Sequence, residues 1–186
     1  MDIAGWNERY RQAQADPIGP PTPLLVQTAH ALTPGSVLDV ACGSGRNALW
    51  LAEQGWRVTA VDGAEQAVTL LKEQASVRGL PINAVAADIQ AGEFTITPDA
   101  WDLIVIAYYL QRNLFEPAKA GVRPGGVVLV IVHITEPGEE PTAHRLRPGE
   151  LPEYFAGWEI LHECHGRPQD KEHRRSVAEL VARRPG

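Results

Sequence analysis

Three aspartates and one cluster of small residues define the chemistry this chain can support. Asp39 sits inside the apolar run Val37–Val40, Asp62 closes the next run, Arg57–Asp62, and Asp88 follows a third, Ile82–Ala87. Between the first run and a helical pattern over Arg46–Glu53 stand Ala41, Cys42, Gly43, Ser44 and Gly45. Strand, small-residue turn and helix in that order read as a nucleotide-binding βα unit. Small residues let a ligand approach the backbone where a Cβ would otherwise stand, and the first helical turn offers unpaired N–H groups. Gly43-x-Gly45-x-x-Ala48 satisfies the dinucleotide pattern G-x-G-x-x-G/A, with Asp62 where a ribose-binding carboxylate is expected. Asp39 weighs against a dinucleotide. A carboxylate just ahead of the turn repels a pyrophosphate and suits a ligand with a positive amino end.

The elements that must position these residues alternate along the chain. A helix is predicted over Ala4–Ala13, with Trp6 and Tyr10 on one face and Arg9 beside them, either a capping helix or a lid. A Pro- and Gly-rich loop, Asp16–Pro23, precedes a second helix over Pro23–Leu32 with Thr22 as its cap. Ala64–Val77 is helical in pattern, with Val68, Leu71 and Ala75 inward, and is stopped by Gly79 and Pro81. Ile82–Ala87, Trp101–Ala107 and Val127–Val132 read as strands, the last two apolar enough to be buried on both faces of a parallel sheet. Tyr108–Gly121 reads as a helix and Arg123–Gly126 as a turn. Thr135–Gly149 is a loop and a candidate mobile segment, and Pro148–Phe155 a short helix. Trp158–His165 and Val177–Ala182 follow with no helix between them and should pair as an antiparallel hairpin. The repeat predicts an open α/β sheet with helices on both faces.

Composition narrows the function classes. The 186 residues carry 17 Lys and Arg against 23 Asp and Glu, a net charge of −6, which disfavours a broad phosphate-backbone footprint. No apolar run approaches the roughly 18 residues of a membrane span, and the polar start, Met1–Gln12, is no secretory signal. Cys42 and Cys164 lie in different elements and read as free thiols of a cytoplasmic protein, with no metal-ligand spacing.

Asp39-x-Ala41-x-Gly43-x-Gly45 resembles motif I of class I S-adenosylmethionine-dependent methyltransferases, with Ala41 where the family often has its first glycine. Trp6–Tyr10, Cys42–Ala52 with its Gly-Arg-Asn turn, and Arg147–Leu151 are more specifically similar to the tellurite-resistance (TehB-like) small-molecule methyltransferases. The resemblance runs from about Trp6 to Arg183. It implies a Rossmann-like, seven-stranded, mostly parallel sheet with a C-terminal antiparallel hairpin and helices on both faces. It also implies that Asp62, with Gly63, takes the cofactor ribose, and that Asp88 and Ile89 take the adenine. Trp6, Tyr10, Ala41, Arg46, Asn47 and Ala107 complete the cofactor-binding set. Blander readings stand beside these: Asp62 as a helix N-cap, Asp88 as a loop carboxylate, Asn47 as a helix-cap contact and Arg46 as a solvated charge. Tyr108, at the end of the fourth strand, Arg112 one turn on, and His173 before the last strand are the catalytic candidates. His133 reads equally as a satisfied core histidine.

The expectation is therefore a single domain over residues 1–186: an N-terminal cap or lid at 1–33, a cofactor-binding core at 35–134, and a substrate-side loop and hairpin at 135–186. Its function would be methyl transfer from S-adenosylmethionine to a small thiol, chalcogen oxyanion or similar nucleophile, leaving S-adenosylhomocysteine. The small-molecule acceptor would be its partner, without nucleic acid or membrane, in a monomer or homodimer. The rivals are a nicotinamide-dependent oxidoreductase and a non-catalytic S-adenosylmethionine-binding sensor or partner module.

Overall fold

The computed structural model describes residues 2–12, 18–140 and 142–186. The expected helix end at Ala13, the loop start at Asp16 and Pro141 of the later loop lie outside them. Seven strands form one mixed sheet. The chain divides into two compact units, residues 1–95 and 96–186.

In the N-terminal unit, helices α1 (Ile3–Gln12) and α2 (Pro23–His30) lead into β1 (Ser36–Val40), α3 (Arg46–Glu53), β2 (Arg57–Asp62), α4 (Glu65–Arg78) and β3 (Ile82–Ala86). The strands are parallel in the order β3-β2-β1, with Asp39 beside Ala60 and Asp62 beside Ala86. Val37, Leu38 and Val40 of β1, Ala48, Leu49 and Leu51 of α3, and Ala67, Val68, Leu71 and Ala75 of α4 are buried and belong to the core. α4 ends at Gly79, whose φ of 66° gives the left-handed residue that closes a helix. Thr22 does not cap α2 through its side chain, contrary to expectation. Its hydroxyl accepts instead from Arg46 at 3.3 Å, and its amide donates to Asn47 Oδ1 at 2.9 Å.

The C-terminal unit holds β4 (Trp101–Ala107), α5 (Phe115–Gly121), β5 (Val122–His133), β6 (Glu159–Gly166) and β7 (Val177–Arg183), the strands in the order β4-β5-β7-β6. β4 and β5 are parallel, and both β5–β7 and β7–β6 are antiparallel, as the terminal hairpin requires. Leu103–Ile106 and Val127–Val132 are fully buried, which accounts for their unbroken apolar runs.

Two expected boundaries move. The helix expected from Tyr108 begins only at Phe115, after a 3-10 turn at Arg112–Leu114. Tyr108 has a φ of 61°, and its amide instead donates to Ile131 O at 2.6 Å. A left-handed residue bound to a neighbouring strand cannot begin an α-helix. The turn expected at Arg123–Gly126 falls inside β5, because Trp101 pairs with Val122 and Leu103 with Val127, leaving these four residues as a bulge. The short helix expected over Pro148–Phe155 is a 3-10 helix at Leu151–Phe155.

Candidate cofactor site and acceptor cluster

The turn after β1 is built on alternate left-handed residues: φ is 55° at Ala41, 56° at Gly43 and 91° at Gly45. A Cβ on Gly45 would stand 2.3 Å from Leu71 Cδ1, so the glycine is what lets α3 approach α4. A Cβ on Gly43 would stand 2.5 Å from the Tyr10 hydroxyl. Asp62 holds the turn in shape. Its Oδ2 accepts from Gly43 N and its Oδ1 from Ala64 N, each at 2.8 Å. The expected ligand carboxylate thus also binds the amide that opens α4, and each oxygen keeps a lone pair for a further donor.

Asp39 lies beneath this turn, 1% exposed. The amide of Ala48 donates to its carboxylate, but Oδ2 has no hydrogen-bond partner among the described residues. Burial, reinforced by the charge of Asp62, pushes its carboxyl up to about 7. Burial also raises Asp62 and pushes the Tyr10 phenol up to about 12. A buried acceptor that lacks a donor is expensive, and a cationic group is the ligand that removes the expense.

Helix α1 packs on the same turn. Asn7 Oδ1 accepts from Gln66 N at 2.9 Å, providing α4 with the N-terminal cap that Ala64 lacks. Ile3 fills the space beside Gly63. Trp6 stacks on Tyr10 with ring centroids 6.0 Å apart, and Arg9 lies over Trp6 at 5.1 Å. Arg46 and Asn47 fasten the loop before α2, Arg46 through Pro20 O at 3.4 Å and Thr22 and Asn47 through the Thr22 amide. Asp88 Oδ1 accepts from Gln90 N at 2.8 Å and Ala91 N at 3.1 Å, and Ile89 beside it is buried.

The remaining predicted residues lie in the C-terminal unit. Ala107 ends β4 opposite Ile131. The imidazole of His173 lies face-on over the Tyr108 ring, centroids 3.4 Å apart and planes 4° apart. The His133 ring is 5.8 Å from Tyr108 and 5.7 Å from His173. Arg112 does not stand free as an anion binder. Its guanidinium donates to Glu150 at 3.0 Å, Ala143 O at 3.1 Å and Arg145 O at 3.0 Å.

Sequence reading missed three features here. Glu150 is a hub that accepts from Arg112, the Arg147 amide and the Tyr154 hydroxyl. Burial pushes its carboxyl up, and these donors together pull it down to about 2. Glu136 accepts from the Ser176 amide and hydroxyl, and Glu139 binds Arg145 and Arg175, so the segment expected to be mobile is tied down at Glu136, Glu139 and Arg145. Lastly, His133 Nδ1, Thr135 Oγ1 and Arg175 Nε are buried without a partner among the described residues. The β5–β7 register pairs His133 with Val177, and Ile134 N donates to Ser176 O. Continued by one residue, that alternation sets Thr135 opposite Arg175 and puts all three side chains on one face. His133 is bonded to the Ser176 backbone, while its Nδ1 has no partner among the described residues. Burial lowers its pKa, helped by the charges of Arg175 and Arg145. The only sequence signal for the group was the alternate spacing of His133 and Thr135.

The sequence profile of the family described as "Tellurite resistance protein TehB" matches residues 20–170. The chain belongs to the TehB family. The "Probable S-adenosyl-L-methionine-dependent methyltransferase TehB" of Haemophilus influenzae is 29% identical over 144 residues, 74% of this chain and 50% of that protein. "Hemagglutinin 1" of Eikenella corrodens is 31% identical over 142 residues, 73% of this chain and 47% of its own length. The crystal structure of TehB from Haemophilus influenzae superposes with a TM-score of 0.74 at 28% identity, covering 86% of this chain and 61% of that one. The chain spans about half the length of the curated relatives it matches. The seven-stranded mixed sheet with its antiparallel C-terminal strands is that of the class I methyltransferases. No helix among the described residues is long and apolar enough to cross a membrane.

Proposed function

We propose that this chain binds S-adenosylmethionine at the turn after β1 and catalyses methyl transfer to a small anionic nucleophile, a thiolate or a chalcogen oxyanion such as tellurite. The observation that carries the reading is the buried, unpartnered Oδ2 of Asp39 beneath the Gly43–Gly45 turn. An α-ammonium is the donor that oxygen requires, whereas a pyrophosphate would be repelled by Asp39 and Asp62 together. Asp62 retains acceptor capacity for two ribose hydroxyls, and Ile89 beside Asp88 offers an apolar surface for a base. Tyr10 and Trp6 on α1 cover the turn, and Arg46 and Asn47 hold the loop before α2 against α3.

The bound cofactor supplies an electrophilic methyl group on a sulfonium. The residues of the chain contribute positioning and exclusion of water, which account for most of the rate in an in-line displacement. The His173 imidazole, the Arg175 Nε–H and the Thr135 hydroxyl are the donors for an anionic acceptor. Thiolates and oxyanions arrive already deprotonated, so no general base is required of them. For an acceptor that carries a proton, the uncharged imidazole of His133 is the group with a free lone pair. Arg112 acts through the 143–150 segment, which its guanidinium straps in place. The net charge of −6 supports a small acceptor in preference to nucleic acid.

Calorimetric titration with S-adenosylhomocysteine, with NADH in a parallel cell, tests the reading. Micromolar binding of the first alone is expected, followed by transfer of a labelled methyl group to tellurite or a small thiol. Binding of NADH alone would overturn it, and binding without turnover on any acceptor would leave a sensor domain.

A further inference from the structure

Asp170 lies in the polar segment Arg167–Ser176, where nothing in its sequence marks it out, yet it is 5% exposed. A buried carboxylate persists where its oxygens are bonded, and both of these are. Oδ2 accepts from the Tyr108 hydroxyl at 3.0 Å and Oδ1 from the Glu172 amide at 3.1 Å. Its own carbonyl accepts from the His173 amide at 3.1 Å. One residue therefore holds both partners of the Tyr108–His173 stack, the phenol by its hydroxyl and the imidazole by its backbone.

Tyr108 is held in a conformation that tyrosine seldom adopts, with a φ of 61°. A non-glycine residue in that region is strained and persists where its surroundings over-determine it. Here the surroundings are the 2.6 Å bond from its amide to Ile131 O, the Asp170 carboxylate at its hydroxyl and the imidazole 3.4 Å from its ring. Loss of the Asp170 contact removes the restraint on the phenol hydroxyl, and with it one of the contacts that set the plane of the imidazole stacked on that ring.

We infer that Asp170 is a positioning residue: with Tyr108 it fixes the plane of the His173 imidazole in the acceptor cluster. It touches neither donor nor acceptor and acts through Tyr108 and the 170–173 turn. The inference deepens the proposed methyl-transfer reading and rests on it for its kinetic consequence.

The test compares Asp170→Ala, Asp170→Asn and Tyr108→Phe in the full chain by two readouts. The first is the NMR position of the His173 imidazole C–H signals, which the phenol ring current displaces upfield. Asp170→Ala should lose most of that displacement. Asp170→Asn should keep it, because an amide can accept from the Glu172 N–H and donate to the Tyr108 oxygen. Tyr108→Phe removes one hydroxyl, leaves the core packed, and should show part of the loss. The second readout is steady-state methyl transfer with tellurite as acceptor. Asp170→Ala should lower kcat about 10- to 100-fold, the scale of a misplaced reacting group, with KM for S-adenosylmethionine unchanged and with recovery in Asp170→Asn. An unmoved His173 signal in a folded Asp170→Ala protein overturns the inference. So does a kcat as low in Asp170→Asn as in Asp170→Ala, because charge and not geometry would then be at work. If the unaltered chain methylates nothing, the methyl-transfer reading fails, while the NMR comparison still decides the positioning role.

Discussion

Asp39→Asn separates ligand binding from stability, because the two should move in opposite directions. The carboxyl of Asp39 is pushed from its ordinary 3.8 to about 7 by burial and by Asp62. That gap of about 3 in pKa, at about 1.36 kcal/mol each, makes ionised Asp39 costly to the fold by at most about 4 kcal/mol at pH 8. Asparagine removes the charge but leaves a buried N–H₂ in place of the unpartnered Oδ2, at a cost of about 1–3 kcal/mol. The net expectation at pH 8 is a gain of about 1–3 kcal/mol, or roughly 3–10 °C in Tm for a chain of this size.

The dependence on pH fixes the sign. A carboxyl whose folded pKa is raised contributes stability that is present below its unfolded pKa and is lost as pH rises through the folded value, here from about 4 to about 7. The advantage of Asp39→Asn should therefore grow between pH 4 and pH 8 and be absent below about pH 4, where Asp39 is neutral in the folded and the unfolded chain alike. Affinity for S-adenosylhomocysteine should fall over the same range. A hydrogen bond to a charged partner contributes about 1.5–3 kcal/mol, so the loss at pH 8 is about 10- to 150-fold. Thermal melts and calorimetry at the two pH values measure both effects. A lower Tm at pH 8 together with an affinity within threefold of the unaltered chain would refute the argument, and Asp39 would then be a structural carboxylate.

Asp62→Ala should weaken S-adenosylhomocysteine binding more than tenfold and lower Tm, because the Gly43 and Ala64 amides lose their acceptor. Calorimetry that shows less than a threefold change in a folded protein would reduce Asp62 to a brace for the turn. Ala41→Gly should raise Tm by about 1–3 °C, because relief of a left-handed alanine, about 1–2 kcal/mol, outweighs the added freedom of the unfolded chain. Glu150→Gln should destabilise the protein by about 1–3 kcal/mol at pH 7. The Glu150 carboxyl is held near 2, so the stability it contributes is present above its ordinary 4.5 and is lost as pH falls toward 2. Melts should accordingly show the difference between Glu150→Gln and the unaltered chain closing in acid.

The βα elements were largely legible in the sequence, because each of their devices is local. The bounds of α3, β2 and β4 match the expected ones to the residue, since apolar runs meeting small residues or glycine define an element over a few positions. The terminal hairpin was legible from its order along the chain: two strand-like runs with no helix between them pair as neighbours. The roles within the site were less so. The Gly-Arg-Asn turn suggested ligand contacts, and tertiary structure added bonds from Arg46 and Asn47 to the Pro20–Thr22 loop that no local pattern announces.

What the sequence by itself determined is the order of strands and helices, and the presence of Asp39, Asp62 and the small residues at one turn. Hydrophobic period and backbone permissiveness act between near neighbours. Tertiary structure decided the contacts between distant segments: Tyr108 taken out of its expected helix by Ile131, Arg112 claimed by Glu150, and Asp170 brought 62 positions back along the chain to the Tyr108 hydroxyl. No periodicity encodes such contacts. They arise when a buried polar atom must find a donor or acceptor in whatever segment the fold brings beside it.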